Sequence, residues 1–75
     1  MNVSLGTWVR LMGFEPGEEE VFSIVPADQA NALENRIPSD SPLARAIEGA
    51  QAGDTVSFQS PSGKIELKIL EVGQL

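Results

Sequence analysis

The sequence predicts an α+β domain: an antiparallel sheet of two hairpins plus a short edge strand, with one short helix (about 42–49) packed on one face. Three observations carry this expectation. Apolar and polar residues alternate near both ends of the chain, the period of half-buried strands. Turn sequences rich in Pro, Gly and Ser interrupt those runs at hairpin spacing. Only the stretch from Ser39 to Gly49 carries both a helix start and a helix stop.

Thr7-Trp8-Val9-Arg10-Leu11-Met12 reads as the first strand, with Val9 and Leu11 on one face and Trp8, Arg10 and Met12 on the other. Glu15-Pro16-Gly17-Glu18 has Pro and Gly at the two central positions of a type II turn. Glu20 to Val25 returns as the second strand, with Phe22 and Ile24 sharing a side. The run Glu18-Glu19-Glu20 is read as a solvated turn that discourages edge pairing, in preference to a metal-binding carboxylate cluster. Pro26 to Asn35 is polar and Ala-rich, with room for one helical turn begun by Asp28 or for a plain loop. Arg36 to Ser39 is a short extended segment, placed at a sheet edge or bulge because Pro38 cannot donate to a ladder.

In the helix, Ser41 is the expected N-cap, since its hydroxyl can accept from a free amide of the first turn. Pro42 suits the first helical position, where an N–H would have no partner. Leu43 and Ile47 stand four apart and share a face, with Ala46 and Ala50 beside them, and Gly49 supplies the left-handed stop. About two turns cannot persist alone in water, so this helix must pack on the sheet. Asp54 to Gln59 and Ile65 to Ile69 form the second hairpin around Ser60-Pro61-Ser62-Gly63. At Leu70 and Val72 the apolar positions change parity, which predicts a bulge or a strand buried on both faces.

Seventy-five residues make one domain, 1–75, with no internal repeat or linker. A chain of this length buries only about 60% of its unfolded surface. It has no cysteine and no histidine. Disulfides, thiolate nucleophiles, Cys/His zinc sites and Ser-His-Asp relays are therefore excluded. Neither a signal-peptide pattern nor an apolar run of membrane-spanning length is present, so a cytoplasmic location is expected. The net charge is −6, concentrated in residues 1–35, where Arg10 faces six acids for a balance of −5. Such a domain repels phosphate backbones and suits a basic protein surface.

No constellation of catalytic residues is evident. Acids are plentiful, but none of their spacings marks a general acid–base pair. Asp40, at a helix N-terminus, is either a structural carboxylate or a binding contact. Ser41 has no sequence-placed base to activate it, and the glycines are scattered among turns without forming a phosphate loop. Trp8 is expected to pack in the core or at its rim more readily than to serve as a ligand platform. Catalytic residues, metal ligands and cofactors are each expected to number none.

The order Ser41-Pro42-Leu43-Ala44-Arg45-Ala46-Ile47-Glu48-Gly49, then Ala52-Gly53-Asp54, then Ser60-Pro61-Ser62-Gly63-Lys64 resembles the C-terminal domain of Gre-type transcription elongation and transcript-cleavage factors. Upstream, Gly6 leading a strand, Pro16-Gly17-Glu18-Glu19 at a turn and Val21-Phe22-Ser23-Ile24-Val25 agree with it, so the likeness runs from about Val3 to Val72. The resemblance implies an FKBP-like fold without prolyl isomerase activity. It also implies docking on bacterial RNA polymerase, at the coiled coil rimming the secondary channel, through Asp40, Ser41, Pro42 and Leu43. Nucleic acid would be met only indirectly, through the polymerase. In that family the catalytic contribution comes from an N-terminal helical hairpin with an acidic tip. Only Met1 and Asn2 precede Val3 in this sequence, so cleavage activity is not expected of it. An armless branch of the family, which competes for the same polymerase site, is the other point of likeness. It lacks a clear Ser-Pro, so the motif here leans toward the Gre side. The alternatives are a generic protein-interaction module, a self-associating module using an exposed strand edge, and a peptidyl-prolyl isomerase, the last disfavoured by an aromatic content of one Trp and three Phe.

Overall fold

The structure is a computed structural model describing residues 1–75. Five strands form one sheet: β1 (Thr7–Met12), β2 (Glu19–Val25), β3 (Arg36–Pro38), β4 (Thr55–Ser60) and β5 (Gly63–Gln74), in the spatial order β3-β2-β1-β5-β4. One α-helix, α1 (Pro42–Ile47), packs on one face.

The first hairpin turns as its sequence predicts. Glu18 N–H donates to Glu15 O at 3.1 Å, and Gly17 takes the positive φ of 77° that a type II turn needs at its second central position. The second hairpin closes on Pro61 and Ser62, with Ser60 opposite Gly63. β5 joins the two halves, pairing through its first part with β4 and through its second with β1. Its register slips once: Arg10 faces Glu71 but Leu11 faces Ile69, leaving Leu70 as the extra residue of a bulge. That bulge is the parity change visible in the sequence, and it keeps both Ile69 and Val72 on the core side.

The edge segment differs from a purely antiparallel sheet. β3 pairs with β2 in parallel, Ile24 opposite Ile37, so the sheet is mixed. The cause is the connection: residues 26–35 pass through two single 3₁₀ turns, Ala27–Gln29 and Ala32–Glu34, and so reverse direction twice before β3 begins. Asn31 caps the second turn through Oδ1, and Asn35 leaves it in the left-handed region at φ 55°. Pro38 ends an outer strand, where its missing N–H costs no ladder bond.

The core lies between α1 and the sheet. Val9, Leu11, Ile24, Leu67 and Ile69 from the strands meet Ala44 and Ile47 from the helix, all essentially inaccessible to water. The expected helix face is shifted: Ala44 pairs with Ile47 as the buried couple, and Leu43 is half-buried at its margin. Helical residues end at Ile47, two positions before Gly49, whose φ of 82° turns the chain out. Val3, at the start of the chain, locks that exit. Its carbonyl accepts from Gly49 N–H and its N–H donates to Ala50 O, both at 2.8 Å, while its side chain joins the core.

Close approaches set where the hairpin end points. Gly13 lies against the Glu66 carbonyl of β5, so that a Cβ there would collide with backbone, and its φ of 141° also suits glycine. This crossing carries Phe14 onto the helix side of the sheet, edge-to-face with Phe22 and with Phe58, each at 6.1 Å between centroids.

Candidate docking surface at the helix start

The corner between β3 and α1 is built by two backbone hydrogen bonds. Ser39 N–H donates to Val25 O at 3.1 Å, and Ser41 N–H donates to Pro38 O at 3.0 Å, which closes a tight turn with Asp40 near its tip. Ser41 is the N-cap. Its Oγ accepts from Ala44 N–H at 3.2 Å, and its carbonyl accepts from Arg45 N–H at 2.9 Å. Pro42 occupies the first turn and is exposed.

The four residues expected to meet a partner are thus adjacent but do different things. Asp40 and Pro42 project into solvent, and Asp40 makes neither a side-chain hydrogen bond nor an ion pair. Ser41 is half-buried with its hydroxyl engaged in the cap. Leu43 divides its surface between core and solvent. A helix of six residues contributes little directed dipole, so what this corner offers is shape and side-chain surface.

Beside this corner an open hollow of about 460 Å³ runs between the helix and the sheet edge. Asp40, Pro42, Arg45 and Ala46 line one wall, and Phe58 and Gln59 of β4 the other. The lining combines one acid, one base, two amide or aromatic side chains and small apolar surface, the mixed chemistry of a protein contact. Sequence reasoning reached the Asp40–Leu43 corner but missed Arg45, Phe58 and Gln59. They line the hollow only because α1 packs against β4. The helical spacing of Arg45 three residues after Pro42 was the one available signal.

Elsewhere the polar groups have local employment. Asp54 Oδ2 accepts from Gln51 N–H at 2.8 Å and holds the turn into β4. The three consecutive glutamates diverge: Glu19 reaches Arg10 on the outer face at 3.8 Å, Glu18 is exposed, and Glu20 is half-buried on the helix side. No three Asp or Glu side chains converge in a way that could hold a metal ion. Trp8 lies on the outer face across Gly73, its cross-strand partner, where an added Cβ would overlap the indole. It is a packing residue on the outer face of the central strand. No helix is long and apolar enough to cross a membrane.

The family model for the transcription elongation factor GreA/GreB C-terminal domain matches residues 1–74. Transcription elongation factor GreA of Shouchella clausii is 41% identical over 70 residues, covering 93% of this chain and 44% of that protein. GreA of Pseudomonas putida is 43% identical over 71 residues, covering 95% of this chain and 44% of the relative. Among solved structures, Thermus aquaticus Gfh1 superposes with a TM-score of 0.83 at 32% identity, over 95% of this chain and 47% of that one. The chain therefore spans less than half the length of these three relatives. The ordered helix-start and hairpin motifs, the mixed five-stranded sheet and the family match agree, and the chain belongs to the GreA/GreB transcription elongation factor family, whose C-terminal domain it represents.

Proposed function

We propose that this domain is an RNA polymerase-docking module that takes part in regulating transcription elongation, with Asp40, Pro42 and the exposed part of Leu43 as its contact residues and Ser41 holding their geometry. The carrying observation is the corner itself: an unpaired carboxylate and an exposed proline beside a mixed hollow of about 460 Å³, in a domain whose relatives are transcription elongation factors. A net charge of −6 favours a basic protein surface and disfavours direct contact with nucleic acid. In this reading the partner surface is the coiled coil at the rim of the polymerase secondary channel, and the domain contributes affinity and position without cleaving the transcript itself.

Competition tests the reading. Labelled full-length GreA is bound to bacterial core RNA polymerase, and this domain is added in excess at low salt. Displacement of GreA is the expected result. Binding to polymerase without displacement would place the contact elsewhere, and no binding would remove the proposal.

A further inference from the structure

A second hollow, of about 420 Å³, opens on the same face of the sheet at the turn end of the first hairpin. Six helical residues span about 9 Å, whereas six-residue strands span about 20 Å, so α1 cannot cover the whole face it packs on. The uncovered end has an aromatic floor, Phe14 over Phe22, and a rim of Glu15, Glu18 and Glu20. None of these three glutamates is in an ion pair; the cation nearest in sequence, Arg10, lies on the opposite face, held by Glu71 at 2.6 Å and Glu19 at 3.8 Å. Phe14 also packs edge-to-face on Phe58, and Phe58 lines the first hollow. The two hollows are therefore neighbours, with the Phe14–Phe58 contact between them.

The geometry points to this second hollow as a docking site for a lysine or arginine side chain on the protein that engages the helix-start corner, a deepening that rests on the docking function above. The chemistry suits that occupant. A cation over a phenylalanine face is attracted by the ring quadrupole, its aliphatic stem covers apolar floor, and unpaired carboxylates at the rim receive its charge. Neutral or acidic occupants would leave the three glutamates unopposed. The hollow thus adds a charge-selective contact to a corner that itself presents one acid and one base.

The test compares binding of core RNA polymerase by the wild-type domain, by the triple variant Glu15→Gln/Glu18→Gln/Glu20→Gln, and by a charge-matched control, Glu34→Gln/Glu66→Gln/Glu71→Gln. Phe14→Leu forms a fourth arm and retains apolar volume. Thermal unfolding of each variant verifies the fold. The rim variant is expected to bind about threefold to tenfold more weakly than the control at low salt and to lose affinity less steeply as salt rises. Phe14→Leu should weaken binding about twofold to fivefold with the salt dependence retained. Equal affinity of rim and control variants overturns the second contact while leaving the helix-start corner standing. Failure of the wild type to bind overturns both.

Discussion

The two faces of the sheet use similar residues to opposite ends. On the outer face the two largest groups of the central strand are answered from within the chain: Trp8 lies over Gly73, and Arg10 is clasped between Glu19 and Glu71. The helix side is sealed at its centre by Ala44 and Ile47 but carries two open hollows, where the carboxylates of Asp40 and of the rim glutamates have no ion-pair partners and Pro42 is exposed. A polar or aromatic group that the fold itself satisfies is stabilising structure. One left unanswered beside a hollow is where a partner can gain binding energy.

Breaking the sealed centre should produce the largest effect. Ile47→Ala removes a fully buried side chain from between α1 and the sheet and should cost about 2–5 kcal/mol, measured by denaturant unfolding. Because a domain of this size holds only a small margin, much of the chain would then be unfolded at ambient temperature. Gly73→Ala attacks the outer face and leaves the proposed polymerase contacts untouched. The added methyl displaces the Trp8 indole, at about 1–3 kcal/mol, and a red shift of tryptophan emission should accompany the loss. Retention of the wild-type emission maximum would show that the indole does not rest on Gly73.

Smaller changes sharpen the contrast. Ser41→Ala deletes the cap to Ala44 N–H and should cost about 1 kcal/mol, with Ser41→Asp restoring most of it. Arg10→Gln opens both ion pairs of a group that is 42% exposed, and should change stability by less than about 1 kcal/mol, falling further with added salt. A loss of several kcal/mol would mean that the outer face depends on that clasp far more than its exposure allows.

Local chemistry explains which parts were legible in the sequence. Ser41-Pro42 and Gly49 announce a helix start and stop because capping acts over a few residues, and the Pro16-Gly17 turn is equally local. The bulge at Leu70 showed itself as a change of parity within one strand. The parallel pairing of β3 was hidden, since its direction depends on two 3₁₀ turns in a loop without apolar period. Phe14 was missed for a related reason. It lies outside both strand patterns, and its place on the helix side follows from Gly13 crossing the Glu66 carbonyl, 53 positions away in the chain. The helix-start corner could be located from its motif, but the hollow beside it required the packing of α1 on β4.

The central claim is that contact with polymerase belongs to the hollows of the helix side and not to the outer face. Equilibrium binding to bacterial core RNA polymerase, compared among wild type, Asp40→Ala, Pro42→Ala and Arg10→Gln, tests it most directly. The account predicts losses of about tenfold for Asp40→Ala and for Pro42→Ala, with Arg10→Gln within about twofold of wild type. Undiminished binding by both corner variants, or a larger loss for Arg10→Gln than for either, would contradict it.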